Sequence, residues 1–298
     1  MNQKWKTYLK DPWKLFNLIN NGKLLYWIPD VLFLKIAYWC NMGKRLDLEH
    51  PETYTEKLQW LKLYDREDSY TTLVDKYEVK KYVEGRIGKK YVIPALGVWD
   101  SFDEIAFEQL PEQFVLKCSH DVGGAVICRD KTSFNKKVAR RKIMKSLKRD
   151  YYKLTREWAY KEVPHRIIAE PYIAGEGGSE PTTYRFFCFN GDVKHVLTYV
   201  NETKDRRIDL YDRSFHRLPV ANGAPNARKA DKKPKEFDEM KRLASRLSRG
   251  FCQICIDFYN VSGRIYFEKM VMFHGSGFME FEPEEWDLIF GEYVRLPQ

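Results

Sequence analysis

Residues 112–128, EQFVLKCSHDVGGAVIC, are the stretch on which the interpretation of the fold depends. An apolar run over residues 112–118 includes Lys117, a second run covers residues 126–128, and the turn-rich residues 120–124 connect them. Two short apolar runs around a Gly-containing connection predict a β-hairpin with a flexible tip. Glycine lets backbone amides approach a phosphate closely, and a lysine at a strand end supplies positive charge. The hairpin is therefore a candidate phosphate site, although it lacks the full P-loop pattern and also fits an ordinary surface lysine.

Helices and strands are predicted on both sides of this hairpin. Predicted helices begin after Thr53 and extend over residues 76–84, 134–149 and 237–247, and Asp75 is the predicted N-cap of the second. Further strands are predicted at residues 166–173, 184–189, 193–200, 252–259 and 264–273, and those at 184–189 and 193–200 are predicted to pair as a hairpin around Asn190 and Gly191. The polar, basic residues 221–235 read as a mobile surface loop. This mixed order predicts an α+β or α/β fold.

Composition restricts the class of protein. The 298 residues are 44% hydrophobic and 15% aromatic, which permits a sizeable core and excludes a mainly disordered chain or a fibre. Lys and Arg number 51 against 42 Asp and Glu, and the net charge of +9 indicates an anionic partner. The sequence contains no recognised helix-turn-helix, zinc finger or aromatic RNA-binding motif, so we expect no nucleic-acid partner. The six cysteines are expected to be reduced thiols, most of them buried.

The N-terminal segment, residues 1–45, is basic and aromatic. Its tryptophans Trp5, Trp13, Trp27 and Trp39 stand among lysines. Such a segment can lie on an anionic membrane surface, or its tryptophans can pack on the main domain as part of ordinary helices. The chain lacks an apolar run of about 18 residues and a signal-peptide core. We therefore expect a cytoplasmic protein, which in the first of these two alternatives would be peripheral to the inner face of the plasma membrane.

Two further polar sites follow predicted strands. Glu170 ends an apolar strand, and with the neighbouring Tyr172 and Ile173 it could contact an adenine edge and a ribose. Asp257 lies within the apolar residues 254–258, where a carboxylate needs a partner, a metal ion or a strand-end position. Magnesium is typically held by one or two carboxylates together with phosphate oxygens. Asp257 is therefore the candidate metal ligand.

Other motifs are less specific. The basic face of the predicted helix 134–149 is either an ordinary solvated face or a surface that steers an anionic substrate. Cys252 and Cys255 have the CxxC spacing, but three residues apart on a strand they point to opposite faces, which disfavours a metal or redox site. Ser276 lies between two glycines, but the nucleophile pattern GxSxG is missing.

Taken together, the segments resemble the ATP-grasp proteins of polysaccharide gene clusters, the TupA-like group named for teichuronopeptide biosynthesis. The segments that carry the resemblance are PETYTEKLQWLKLYDR at 51–66, VDKY at 74–77, FVLKCSHDVGG at 114–124, RIIAE at 166–170, FFCFNG at 186–191, GSGF at 275–278 and PEEW at 283–286. The resemblance implies an ATP-grasp fold, in which two α+β subdomains hold ATP between them. It implies a helical extension over residues 1–74 and an ATP-grasp-like domain over 75–298, with subdomains at about 101–170 and 171–298.

The resemblance also implies roles for individual residues. By analogy, Lys76 and Lys117 would contact phosphates, and the Gly123–Gly124 loop would close over the triphosphate. Glu170, Tyr172 and Ile173 would lie against adenine and ribose. Asp257 would bind magnesium, and Glu268 is the candidate for a second ligand. The candidate catalytic residues are His120, Asp121, His274 and Lys269.

The chain departs from the expected pattern at two places. Cys255 stands where the resemblance predicts an arginine two residues before the metal-binding Asp257, and Lys269 stands where it predicts the second metal-binding glutamate. Glu268 is adjacent, but neighbours on a strand point to opposite faces, so it can replace that glutamate only if the strand contains a bulge. A lysine at this position puts a cation where a cation should bind. Lys269 could instead contact phosphate directly.

Three functions are compatible with these features. The first is an ATP-dependent enzyme of surface polysaccharide assembly, for example of capsule or O-antigen. It would activate a uronic acid carboxylate as an acyl phosphate and join it to an amine, such as that of an amino acid. The second is a glycosyltransferase that binds a nucleotide-sugar without the usual metal pair. The third is a catalytically silent protein that recruits glycan machinery to the membrane.

Overall fold

The computed structural model describes residues 11–202 and 205–297. Their helices are α1 (Pro12–Asn21), α2 (Asp30–Met42), α3 (Tyr54–Tyr64), α4 (Ser69–Val74), α5 (Val79–Ile87), α6 (Lys136–Leu147), α7 (Tyr151–Thr155), α8 (Phe237–Leu247) and α9 (Glu285–Tyr293). Their strands are β1 (Gly97–Trp99), β2 (Phe114–Cys118), β3 (Val126–Cys128), β4 (Ile167–Pro171), β5 (Thr183–Phe189), β6 (Asp192–Glu202), β7 (Asp205–Asp212), β8 (Ala221–Asn222), β9 (Gln253–Val261), β10 (Arg264–Val271) and β11 (Phe281–Glu282).

Two antiparallel sheets make up the centre of the molecule. The first has the strand order β1-β4-β2-β3, and the second has the order β10-β9-β5-β6-β7. Each sheet has its own apolar core: α6 packs on the first sheet, and α8 and α9 pack on the second. This mixture of helices and antiparallel sheets confirms the α+β class. The predicted boundaries of the subdomains stay a prediction.

Both hairpins predicted from the sequence are present. β2 and β3 pair with Phe114 opposite Cys128, so the glycine-containing residues between them form the tip of the hairpin. β5 and β6 pair across Asn190 and Gly191, which have φ angles of 51° and 82°. Positive φ at both positions is what a tight hairpin turn requires. Both turns were found because their signals are local.

The helix after Asp75 begins later than predicted. The Asp75 Oδ1 accepts hydrogen bonds from the backbone N–H groups of Tyr77 and Glu78, and residues 76–78 form a turn before α5. The predicted start at Lys76 was therefore wrong by three residues, because the carboxylate holds the chain in a turn first. Lys76 consequently lies on this turn.

The helix α2 is apolar on two opposite faces. Phe33, Leu34, Ala37 and Tyr38 pack in the core between α1 and α2. The residues that face outwards are also apolar: Val31, Leu32, Ile36 and Trp39 are exposed, as are Leu24 and Trp27 just before the helix. An apolar helix is expected to be covered all round, so its outward side is unusual for a protein surface.

The tryptophans of the N-terminal segment thus have different environments. Trp13 stacks on Phe16 with their ring centroids 5.5 Å apart, as the packing alternative predicts, whereas Trp27 is 92% exposed. Trp5 lies outside the described residues, as do the first ten residues generally. No helix among the described residues is long and apolar enough to cross a membrane.

Two smaller predictions have different outcomes. The segment 221–235 begins with β8, which pairs with β11, so its first residues are fixed in a small sheet and are not part of a loop. The expectation of reduced cysteines is confirmed: all six are free thiols, and Cys118, Cys128, Cys188 and Cys255 are buried.

Candidate functional site

A cavity of about 530 Å³ lies between the two sheets. Many of the site residues predicted from the sequence line it: Lys76, Lys117, Asp121, Gly123, Gly124, Glu170, Tyr172, Ile173, Glu268 and Lys269. Arg185, Tyr199 and Tyr259 of the second sheet line it as well. His120, Asp257 and His274 lie behind its lining.

The wall formed by the first sheet carries a Lys–Glu–Lys cluster. The Glu170 carboxylate forms ion pairs with Lys117 and Lys80, each with an N–O distance of 2.6 Å. Burial alone would raise the pKa of the Glu170 carboxyl, but the two ammonium groups outweigh it and hold that pKa below its usual range. Lys80 also donates to the Ile93 carbonyl. Glu170 therefore fixes the Lys117 side chain at the cavity.

Lys76 enters the cavity from the turn before α5. Its Nζ donates to the backbone carbonyls of Cys118 at 3.1 Å and Ser119 at 3.4 Å, and to that of Asp121. Burial, and then the positive charges of Lys117 and Lys269, lower the pKa of Lys76 to about 8. A bound anion would counteract the burial of the Lys76 ammonium and its repulsion by the other two lysines. It would therefore stabilise the charged form of Lys76.

The glycine loop is tied to α6 at one end. Asp121 accepts two hydrogen bonds from Arg149 Nη1, at 3.0 and 3.1 Å, and one from Ser146. A Cβ at position 124 would lie 2.1 Å from the Ser146 Oγ, so only glycine fits there. Both Asp121 carboxylate oxygens are thus occupied by protein groups. In this structure Asp121 positions the loop that borders the cavity.

His120 is turned away from the cavity. Its ring stacks on His165, with centroids 3.6 Å apart, and its Nε2 lies 3.1 Å from the Arg149 carbonyl oxygen. Burial, and then His165, lower the pKa of His120 to about 4. His120 is therefore a neutral packing group behind the loop near neutral pH. The structure does not bring it to the cavity.

The wall formed by the second sheet contains a buried ion pair. Arg185 on β5 lies directly opposite Asp257 on β9. Its Nε and Nη2 donate to the two Asp257 oxygens at 2.8 and 2.7 Å. Asp257 is fully buried, which by itself raises the pKa of its carboxyl, but Arg185 outweighs this effect and the pKa is lowered. Both oxygens of the candidate metal ligand are therefore bound by a guanidinium.

His274 continues this network behind the wall. Arg185 Nη1 donates to His274 Nδ1 at 2.8 Å, and His274 Nε2 lies 2.6 Å from Asn222 Oδ1. Because an arginine has only donors, Nδ1 must accept, and the ring proton then lies on Nε2 and is donated to Asn222. His274 is thus a neutral support for Arg185.

The edge strand β10 contains a bulge at Glu268, which is the condition under which Glu268 could replace the expected metal-binding glutamate. Phe267 pairs with Phe258 and Lys269 pairs with Asp257, so Glu268 is the extra residue of the bulge. Because of the bulge, Glu268 and Lys269 both line the cavity instead of alternating. Lys269 Nζ lies 2.6 Å from Glu268 Oε1 and 3.5 Å from Asp257 Oδ2. These carboxylates raise the pKa of Lys269 against the opposing effect of burial, so it is protonated.

These residues do not fit a magnesium site of two carboxylates. Arg185 occupies both oxygens of Asp257, and the Lys269 ammonium lies between Asp257 and Glu268. In the described ranges, no group of three or more His, Cys, Asp or Glu side chains is placed to hold a metal ion. A divalent cation at Asp257 would meet two fixed positive charges.

Sequence reasoning missed two charged residues of the site, Arg185, which lines the cavity, and Lys80, which pairs with the lining residue Glu170. Lys80 stands four residues after Lys76, a spacing that could have pointed to it. Arg185 lies in the apolar strand β5, where a charge needs a partner just as Asp257 does. The charges of Arg185 and Asp257, each within an apolar strand, were visible in the sequence. Their pairing depends on the register of β5 against β9.

The chain matches a known protein family. The sequence profile of the TupA-like ATPgrasp family matches residues 56–295. A comparison with curated protein sequences finds no match.

Several solved structures are similar to part of the chain. D-alanine–D-alanine ligase from Bacillus anthracis complexed with ATP is 12% identical, with 67% of this chain and 54% of that chain covered and a TM-score of 0.39. The D-alanine–D-alanine ligase from Helicobacter pylori is 13% identical, with coverage of 83% and 67% and a TM-score of 0.42. L-amino acid ligase from Bacillus licheniformis is 14% identical, with coverage of 75% and 49% and a TM-score of 0.45. The chain spans about half to two thirds of the length of these proteins.

Proposed function

Because the chain belongs to the TupA-like ATP-grasp family, we propose that its cavity binds ATP and that the protein is a carboxylate–amine ligase. The observation that carries this proposal is the wall of the first sheet, where the cations Lys76, Lys80, Lys117 and Arg149 outnumber the carboxylates of Glu170 and Asp121. This surplus of cations, next to the Gly123–Gly124 loop, suits a polyphosphate. The cavity volume of about 530 Å³ is in the range of small-molecule sites.

The proposed reaction has two steps. A carboxylate oxygen of the substrate attacks the γ-phosphorus of ATP, the bond from phosphorus to the ADP oxygen breaks, and an acyl phosphate and ADP form. The amine nitrogen then attacks the acyl carbon, inorganic phosphate leaves with the bonding electrons, and the nitrogen loses a proton to solvent. Lys76 and Lys117 would stabilise the negative charge of the phosphates during transfer. No step is assigned to His120 or His274, because both lie behind the cavity walls.

We propose an acidic sugar, such as a uronic acid unit of a surface polysaccharide, as the carboxylate substrate, and an amino acid or another amine as its partner. The exposed side of α6 supports an anionic polymer, because it carries Lys137, Arg141, Lys145 and Lys148 around one shallow pocket. α6 adjoins the glycine loop, since Lys142 donates to the Ala125 carbonyl at 2.6 Å. A basic surface beside the cavity would raise the local concentration of an acidic glycan.

The direct test is the release of ADP in the presence of uronic acids and amines, supplied singly and in pairs. We expect ADP release that requires both substrates and that is lost in Lys117→Met. The matched control is Lys232→Met, which removes an exposed lysine from the segment 221–235. ATP binding without ADP release for any pair would contradict the ligase and leave a binding protein.

One observation favours a second function, the transfer of a sugar from a nucleotide-sugar. Lys269 and Arg185 provide fixed positive charge at the place where the carboxylate pair is incomplete. A diphosphate could be neutralised by such groups alone. Binding of UDP-, GDP- or CMP-sugars in preference to ATP would decide for this alternative.

A further inference from the structure

The Lys269 ammonium stands where the two carboxylates of the second wall converge. It is paired with Asp257 across the sheet and with Glu268 along its own strand. In a metal site built from two carboxylates, a divalent ion would lie at the position that this ammonium occupies. The bulge at Glu268 is what lets one strand supply both the cation and one of the carboxylates.

The same ammonium also faces the cations of the opposite wall. Lys76, Lys117 and Lys269 all line the cavity. Both other lysines contribute to the lowered pKa of Lys76, which places the three ammonium groups within electrostatic reach of one another. Cations from both walls thus converge on one region, and an anion with several charges is the ligand that would relieve their repulsion.

We propose that Lys269 replaces the metal ion in this protein, so that the phosphates of a nucleotide bind to Lys76, Lys117 and Lys269 without magnesium. The inference rests on the proposed nucleotide binding but not on the proposed ligase chemistry. Its direct consequence is that chelation of magnesium leaves nucleotide affinity nearly unchanged.

Calorimetric titration of the full chain with ATP, in excess EDTA and in excess magnesium, tests this inference. We expect the dissociation constants measured in EDTA and in magnesium to agree within about threefold. Magnesium also binds to ATP in solution, and a parallel titration with ADP in both buffers shows how large that effect is. Affinity that appears only with magnesium would overturn the inference and leave the ligase proposal standing. If ATP does not bind in either buffer, the ligase proposal falls, and a UDP-sugar titrated in the same two buffers then tests Lys269.

Substitution of Lys269 gives the sharper result. Lys269→Glu places a carboxylate opposite Asp257, and we expect binding in EDTA to fall at least tenfold and to recover when magnesium is added. Lys269→Met removes the charge without adding a ligand, so it should lose affinity in both buffers. Equal affinities for the wild type and Lys269→Met would overturn the role of Lys269. Circular dichroism shows whether each variant is folded. The comparison of the wild type in EDTA and in magnesium does not depend on either variant.

The outward side of α2 carries a second, independent inference. Its exposed apolar residues share the side opposite the packed face with Lys35, and Trp39 on the helix and Trp27 just before it are 55% and 92% exposed. Lys23 and Lys35 are exposed beside them, and the chain has a net charge of +9. Tryptophans flanked by lysines on an apolar helix suit the headgroup region of an anionic bilayer. We infer that this face docks on an anionic lipid surface.

Vesicle flotation of the full chain tests the docking. We expect recovery with vesicles of phosphatidylcholine and phosphatidylglycerol, much weaker recovery with phosphatidylcholine alone, and at least a tenfold lower partition for the double variant Trp27→Ser, Trp39→Ser. A control variant, Tyr64→Ser, removes a 54% exposed aromatic residue elsewhere and should partition like the wild type. Equal recovery of the wild type and the double variant would overturn the inference. So would a dimer in light scattering that the double variant abolishes.

Discussion

The two walls of the cavity differ in how their charges are balanced. The wall of the first sheet sets four cations, Lys76, Lys80, Lys117 and Arg149, against the carboxylates of Glu170 and Asp121. The wall of the second sheet sets Arg185 and Lys269 against Asp257 and Glu268, so its charges cancel. The first wall therefore keeps positive charge for a ligand. The second wall uses its charges mainly on itself.

This difference separates affinity from architecture. Removing a cation from the first wall should weaken ligand binding more than folding, because that wall has cations to spare. Removing Arg185 from the second wall should weaken folding more, because it leaves the buried carboxylate of Asp257 without its guanidinium. The predictions that follow test this division, beginning with the largest expected effect.

The largest effect is expected for Arg185→Met. It leaves Asp257 buried without its guanidinium, which should lower the free energy of unfolding by about 3–5 kcal/mol. The control, Arg140→Met, breaks an ion pair with Asp103 in which both side chains are more than half exposed, and should lower the free energy of unfolding far less. Urea unfolding of both variants measures the difference. Equal losses would mean that the second wall is not held together by this pair.

The next effect concerns the first wall. Lys117→Met removes one charged hydrogen-bond donor from the proposed phosphate site, worth about 1.5–3 kcal/mol or roughly 10- to 100-fold in ATP affinity. Stability should change little, since Lys80 still pairs with Glu170. Parallel titration and urea unfolding separate the two quantities. A variant that loses stability but retains affinity would reverse the assignment of roles to the two walls.

The pH dependence of binding sharpens the role of Lys76. Its pKa of about 8 means that it is charged below that pH and neutral above it. Nucleotide affinity should therefore fall as the pH rises from about 7 to about 9, by several-fold for one lost ammonium contact. Lys76→Arg keeps its charge over this range and should abolish the fall. The same titration with Lys232→Met should follow the wild type.

Acid stability compares the packing behind the two walls. His120 behind the first and His195 beneath the second each have a pKa lowered to about 4 by burial, the neighbouring His165 contributing at His120. Between about pH 6.5 and pH 4 the unfolded chain binds these protons and the folded chain does not, so stability falls on acidification, by about 1 kcal/mol per histidine at pH 5.5. His195→Phe, whose ring would stack on Phe290 as His195 does, should remove about half of this loss. Urea unfolding at about pH 6.5 and about pH 5.5 measures this loss of stability. His216→Phe, at an exposed histidine, is the control.

The first wall could be predicted from the sequence far better than the second. Lys117 and the glycine loop belong to one hairpin, and their signals lie within a few residues of each other. The pairing of Arg185 with Asp257 joins residues 72 positions apart, and it depends on the register of two strands. The bulge at Glu268 was identified as a condition but could not be located, because a single extra residue leaves no periodic signal. The sequence left open whether the tryptophans of residues 1–45 pack or face outwards, since an apolar sequence does not say how much of it will be covered.

The uncovered face of α2 also determines how the protein behaves in concentrated solution. Copies of the chain repel one another through their net charge of +9, and the exposed Trp27 and Leu32 attract other copies over short distances. Added salt shortens the range of the repulsion to about 8 Å near physiological ionic strength and leaves the apolar attraction intact. Colloidal stability should therefore decrease as salt is added, with a second virial coefficient that changes sign from positive to negative. The positive charge that would direct this protein to the proposed anionic surface is thus also what would keep it dispersed in solution.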